Sequence, residues 1–247
     1  MGKRVKSWFL LIPIALVTAL MPLETNSEKL PAEREGMLRA IAASVRSSVE
    51  YTGRSELSPR VMRAMGSVPR EEFVLPAYRN QAYHNTPLPI AAGQTISQPL
   101  IVALMTDLLA PQPDDIILEV GTGSGYQAAV LAQLVKHVYS IEIVTELATS
   151  AAAVLTELGY DNVTVRAGDG YAGWPEHAPF DGIVVTAAPE EIPPALLKQL
   201  ARGGKLVIPV GEEHGYQEIL LVEVDEAGQV SKRSVLPVRF VPLTGDH

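Results

Sequence analysis

The chain has 247 residues, 47% of them hydrophobic and 19% charged, enough to bury one substantial α/β core plus a smaller N-terminal helical portion. Its net charge is −8, and the first 23 positions hold three of the 20 basic residues and no acidic one, so the body is acidic and a nucleic-acid partner is not expected. Cysteine is absent, which excludes disulfides, thiolate catalysis and zinc–cysteine sites, and His84, His137, His177, His214 and His247 are scattered without ligand spacing, so no metal site is expected.

At the N-terminus, Lys3, Arg4 and Lys6 precede an apolar run from Trp8 to Met21, with Val17-Thr18-Ala19 as a cleavage-like tripeptide. This is a signal-like pattern, short for a spanning helix, which needs ~20 apolar residues. An uncleaved anchor in contact with a membrane through residues 8–21 is one alternative, and a start codon upstream of the true one is another. Residues 1–23 are therefore set apart from a single domain over 24–247, divided into a helical part, 24–110, and an α/β core, 111–247.

The segment Ala92-Gly93-Gln94-Thr95-Ile96-Ser97-Gln98-Pro99 leads into an amphipathic helix over Leu100–Leu109, with proline in its first turn. Spacing alone makes Ser97 the cap of that helix, its hydroxyl accepting a backbone N–H, ahead of a catalytic role.

The run from Ile116 to Tyr126 carries most of the information. An apolar strand feeds into three alternate glycines, Gly121, Gly123 and Gly125, and then into a helix expected over Gln127–Val135. Glycine lets a ligand approach the backbone N–H groups of so tight a turn. The spacing is G-x-G-x-G, whereas the dinucleotide fingerprint is G-x-G-x-x-G. His137–Ile141 reads as the next strand, with Glu142 at its carboxyl end, where an acid takes the ribose hydroxyls of an adenosine; a surface acid favoured by a helix dipole is the other reading. Asn162–Arg166 is a third strand, ending in Gly168-Asp169-Gly170, and Asp-Gly is also an ordinary turn dipeptide. Phe180–Thr186 is apolar almost throughout, as a strand buried on both faces should be. A helix from Pro193 to Arg202, stopped by Gly203-Gly204, precedes a fifth strand over Lys205–Val210. Glu218–Val224 and Gln229–Val241 read as two antiparallel strands around a turn at 225–228.

Strand and helix alternate, so the expected fold is a doubly wound α/β architecture: a mostly parallel sheet, helices on both faces and an N-terminal helical extension. Ligands in such sheets bind outside the carboxyl ends of the strands. The glycine run, Glu142 and the Gly168–Gly170 turn all lie there, and together they describe an adenosine site. These motifs leave NAD and S-adenosylmethionine both open. Neither Ser97 nor Ser124 lies in a G-x-S-x-G elbow, so hydrolase chemistry has no support.

Six blocks in series resemble the protein-L-isoaspartate O-methyltransferases: Val68–Val74, Gly93–Pro99, Glu119–Tyr126, Gly168–Gly170, Val184–Pro189 and Val238–Leu243. The likeness covers about residues 35 to 245. It implies an enzyme that moves a methyl group from S-adenosylmethionine to the free α-carboxylate of L-isoaspartyl residues in damaged proteins and peptides. Carried over by position, it implies a cofactor site at Glu119, Gly121, Thr122, Gly123, Ser124, Gly125, Glu142, Asp169 and Gly170. It makes Ser97 the active-site serine, beside Thr95, Ile96 and Gln98 in a substrate cleft, a role compatible with capping. It further implies location in the cytoplasm, where S-adenosylmethionine is made, whereas residues 1–23 point to export or a membrane tether; a monomer is expected. A methyltransferase for a small-molecule carboxylate and an adenosine-binding module without catalysis are the alternatives.

Overall fold

The computed structural model describes residues 1–2 and 26–245, so the signal-like residues lie almost wholly outside the described part. Helices α1 (Asn26–Ser47), α2 (Val49–Thr52) and α3 (Pro59–Ser67) come first; α1 and α3 pack on α4 (Pro99–Leu109), whose residues are all buried. Between α3 and α4 lies a short antiparallel ribbon of β1 (Leu88–Pro89) and β2 (Thr95–Ile96). The alternating part then runs β3 (Ile116–Val120), α5 (Tyr126–Ala132), β4 (His137–Glu142), α6 (Thr145–Glu157), β5 (Val163–Ala167), β6 (Phe180–Val185), α7 (Pro194–Lys198), β7 (Leu200–Gly211), β8 (Gln217–Val224) and β9 (Val230–Val238).

The last seven strands form one sheet in the order β5-β4-β3-β6-β7-β8-β9. The pairs from β5 to β7 are parallel, and β8 and β9 close the sheet as an antiparallel hairpin. The expected doubly wound, mostly parallel sheet is therefore present. Side chains alternate across it as the period of two requires. Ile117, Val184 and Val207 face a layer built from α4, α5 and α6, while Leu118, Ile183, Val185 and Leu206 face Trp174, Phe180 and Leu196 of α7. Chain order reverses between β3 and β6, so the crevice for a ligand opens above their carboxyl ends.

Three boundaries differ from the sequence reading. Helix α5 stops at Ala132, not Val135, because the chain tightens there, with Leu134 N–H bonded to the Leu131 carbonyl at 2.8 Å. Helix α7 ends at Lys198, and β7 already begins at Leu200. Gly203 and Gly204 do not stop a helix. They form an irregularity within β7, with Gly203 at φ 76° and Gly204 so close to the Ala201 and Asp181 carbonyls that a Cβ would sit 2.8 and 2.9 Å from them. Strand β9 ends at Val238, not Val241, because the Phe240 N–H is taken by Gln217 Oε1 at 2.7 Å. The tail then crosses to the loop after β6, where Ala188 N–H bonds the Val241 carbonyl and Leu243 N–H bonds the Ala188 carbonyl, both at 2.8 Å.

Candidate active site

At the carboxyl ends of β3, β4 and β6 lies a cleft of about 780 Å³, its open mouth included. Its floor is the turn Gly121–Ser124, which leaves β3 and enters α5. Gly121 has φ 95° and its N–H bonds the Ile141 carbonyl at 2.8 Å. A Cβ there would collide with Thr186 Oγ1, which donates to the Gly121 carbonyl, so only glycine fits between the two strands. Gly125 lies behind the turn, against Leu155 and Ala151 of α6.

Two carboxyl groups serve this turn in different ways. Glu142 lines the cleft and is the only acidic or basic side chain doing so among the described residues. Its Oε2 accepts the Gly123 N–H at 2.8 Å and its Oε1 accepts the Val144 N–H at 2.9 Å. Each oxygen keeps a lone pair for a further donor such as a ribose hydroxyl. Glu119 does not reach the cleft; it is fully buried beneath the turn. The parallel register sets Glu119 opposite Ser140, and Ser140 Oγ bonds Glu119 Oε2 and, at 2.6 Å, Thr122 Oγ1. Glu119 Oε1 has no well-formed hydrogen bond. Burial pushes the Glu119 carboxyl up to about 8, and the Glu142 charge adds to this against the opposing pull of Ser140 and the Ala128 N–H. The buried acid is thus neutral at pH 7, and Glu142 is the carboxylate that the cleft presents to a ligand.

Ser97 stands at the opposite wall, between β2 and α4, half-buried. The capping role expected of it is overturned. Gln98 occupies the N-cap position without a side-chain cap, and the Leu100 N–H is accepted by Asn85 Oδ1 at 2.9 Å. Helix α4 is therefore capped by a residue from a separate loop, and the Ser97 hydroxyl is left free of that duty. Asn85 also accepts Gln98 Nε2 on its backbone carbonyl at 2.8 Å, which pins the Gln98 side chain. Thr95 is exposed and Ile96 buried. A second groove, lined by Pro87, Gln98, Arg239 and Phe240 among others, meets the first at Thr95, Ser97, Thr186 and Val241. Ser97 thus sits where the two cavities join.

The remaining wall comes from Gly170 and the tail segment Val241–Thr244. Asp169 is half-buried outside the lining; its Oδ1 accepts the Tyr171 N–H at 2.9 Å, capping the 3-10 turn that begins at Gly170. Tyr171 in turn donates its hydroxyl to the Leu243 carbonyl at 3.2 Å, fastening the tail.

Of the residues expected from sequence, Thr95, Ile96, Ser97, Gly121, Thr122, Gly123, Ser124, Glu142 and Gly170 line the one cleft. Gln98 lines the adjoining groove, and Glu119, Gly125 and Asp169 stand behind the lining. Sequence reasoning assigned no role to Asn85, Ser140, Thr186 or the tail. Ser140 carried a signal, a small polar residue buried between Val138 and Ile141 in β4; Asn85 carried none, because its partners are remote in the chain.

Known proteins resemble this chain over most of its length. The family model described as Protein-L-isoaspartate(D-aspartate) O-methyltransferase (PCMT) matches residues 49–247. Protein-L-isoaspartate O-methyltransferase 2 of Syntrophobacter fumaroxidans is 54% identical over 247 residues, all of both chains. Protein-L-isoaspartate O-methyltransferase 1 of Cupriavidus necator is 52% identical over 96% of this chain and 92% of its own. A solved protein-L-isoaspartate O-methyltransferase superposes with TM-score 0.75 at 27% identity, covering 86% of this chain and 66% of that one. A Plasmodium falciparum structure described as a putative protein-L-isoaspartate O-methyltransferase, in complex with S-adenosyl-L-homocysteine, gives TM-score 0.69 at 25% identity over 87% of this chain and 98% of its own. On the whole-length match of sequence and fold, this chain belongs to the protein-L-isoaspartate(D-aspartate) O-methyltransferase family.

Proposed function

We propose that this chain transfers a methyl group from S-adenosylmethionine to the free α-carboxylate of L-isoaspartyl residues in proteins and peptides, with Ser97 as the residue that orients the acceptor. The observation that carries the reading is the position of Ser97, at the junction of the glycine-floored cleft and the adjoining groove. The single acid among the residues that line the cleft suits a cationic ligand. When bound, S-adenosylmethionine supplies an activated methyl group. The turn at Gly121–Ser124 gives the close backbone approach, Glu142 accepts the ribose hydroxyls, and Gly170, on the turn fixed by Asp169, borders the adenine edge. Glu119, Thr122 and Gly125 support this floor from behind or within it.

The acceptor carboxylate is already ionised at neutral pH, so no strong general base is needed. The protein's task is to hold one oxygen in line with the methyl carbon. The Ser97 hydroxyl, freed from capping by Asn85, donates a hydrogen bond to the other oxygen, with Thr95, Ile96 and Gln98 shaping the cleft around it. The resulting ester is attacked by the neighbouring backbone nitrogen, methanol leaves, and hydrolysis of the succinimide returns some normal aspartate.

The test is transfer of labelled methyl to an isoaspartyl peptide beside its normal aspartyl twin. Labelling of the isoaspartyl peptide alone is expected; equal labelling of both, or of neither, would defeat the reading. Location belongs to the same proposal, and cofactor supply favours the cytoplasm. Among the described residues no helix is long and apolar enough to cross a membrane. A mature chain beginning near Leu20 in an extracytoplasmic fraction would overturn the cytoplasmic reading.

A further inference from the structure

The block Val68–Val74 contains a feature that the reaction as described does not use. Arg70 is 0% exposed, at the start of a 3-10 turn. Its Nε donates to the Ala82 carbonyl at 2.8 Å and its Nη2 to the Ser97 carbonyl at 2.9 Å, while its guanidinium lies 4.6 Å from the centre of the Tyr126 ring. Nη1 is buried with no well-formed hydrogen bond, the Tyr126 hydroxyl is near enough to favour the charged form, and among the described residues no carboxylate bonds the group. Burying a charge without an ion-pair partner is costly, and an apolar side chain of similar volume would stabilise the interior better. The geometry suggests what the charge is kept for. Ser97 and Tyr126 both line the cofactor cleft, Ser97 on the acceptor side and Tyr126 at the start of α5, directly after the glycine turn. Arg70 spans the two from behind.

We propose that Arg70 is a positioning residue, which fixes the Ser97 loop against the cofactor turn by holding the Ser97 carbonyl with one edge of its guanidinium while the group rests against the Tyr126 ring. The inference rests on the role given to Ser97 above. A planar fork is required, because a lysine ammonium on a flexible stem does not reproduce the paired carbonyl bonds together with the contact on the Tyr126 ring. The block is tied down on its other side as well. Glu71 and Arg34 of α1 both bond the Tyr83 hydroxyl, so Arg70 is held between the N-terminal helix and the cleft. Alignment of the acceptor oxygen is the quantity at stake, and a misplacement of about 1 Å can cost roughly 100-fold in rate.

The test is a double-mutant cycle. Arg70→Lys is made in the wild type and in Ser97→Ala, and each protein is assayed for kcat and KM on an isoaspartyl peptide and for S-adenosylhomocysteine affinity by calorimetry. In the wild-type background kcat is expected to fall about 10- to 100-fold with cofactor affinity changed less than about threefold. In the Ser97→Ala background the further loss is expected to be under about threefold, because the hydroxyl through which Arg70 acts is gone. The same loss in both backgrounds, or a matching loss of S-adenosylhomocysteine affinity, would overturn the proposal. Arg70→Gln, which buries no charge, replaces the lysine variant where the latter does not fold; if neither variant gives a cofactor-binding protein, Arg70 is a framework residue and the proposal fails. Absence of peptide methylation by the wild type would instead strike at the functional reading itself.

Discussion

Replacing Glu119 by glutamine should make this protein more stable at neutral pH, although it removes a hydrogen-bonded side chain from the core. Glu119 is fully buried, and its carboxyl is pushed up to about 8 from an ordinary value of 4.5, chiefly by burial. The folded state therefore holds a proton that the unfolded chain releases. The associated stability is fully present below pH 4.5 and is lost progressively as pH rises to about 8, where the folded group ionises. Each pH unit in that window corresponds to about 1.4 kcal/mol, so the wild type loses at most on the order of 5 kcal/mol across it. Glutamine is neutral throughout, keeps the shape, and its amide carbonyl can accept from Ser140 Oγ as the acid's Oε2 does. At pH 7 the variant should be roughly 1–3 kcal/mol more stable than the wild type, with a flatter profile. Urea unfolding of both proteins at intervals from pH 5 to pH 9 measures this directly. Parallel profiles, or a variant less stable than the wild type at pH 8, would show that Glu119 is ionised in its buried site and that the neutral-acid account is wrong.

Other substitutions separate the parts of the cleft. Ser97→Ala should lower turnover roughly 10- to 100-fold, the value of a hydrogen bond to a charged group, while S-adenosylhomocysteine affinity stays within about twofold in calorimetry. Glu142→Ala should have the opposite pattern: the Gly123 and Val144 N–H groups lose their acceptor, and cofactor affinity should fall at least about 10-fold. Asp169→Ala removes the cap on the Gly170 turn and should weaken cofactor binding more than it lowers turnover at saturation; the reverse split would mean that its role and that of Ser97 have been exchanged. Asn85→Ala should reduce stability by about 1 kcal/mol in urea unfolding through the lost cap of α4, and an unchanged midpoint would show that solvent replaces it.

Whether a feature can be read from the sequence depends on whether it is local. The glycine turn, the strands beside it and Glu142 are legible because each follows from neighbouring residues: an apolar strand, a run of alternate glycines, an acid at a strand end. Cross-chain partners are not legible in that way. The cap of α4 comes from Asn85, so the Ser-x-Pro spacing at Ser97 gave a reasonable but incorrect cap. Gly203-Gly204 looked like a helix stop because glycine after a helical run usually is one, yet tertiary pairing with β6 takes over from Leu200 onward. The buried pair Glu119–Ser140 is visible only once the parallel register places the two residues side by side. Arg70 is the extreme case: from sequence it is an arginine beside two glutamates, and only the packing shows it turned inward, away from them.

The central claim is that the carboxylate presented at Ser97 is the α-carboxylate of an isoaspartyl residue. Mass-spectrometric localisation of the transferred methyl tests it most directly, using an isoaspartyl peptide that also contains an ordinary aspartate, a glutamate and a free C-terminus. One methyl ester is expected, on the isoaspartyl α-carboxylate, formed by the wild type and strongly reduced in Ser97→Ala. A methyl group on any other carboxylate, or equal yield from the Ser97→Ala protein, would contradict it.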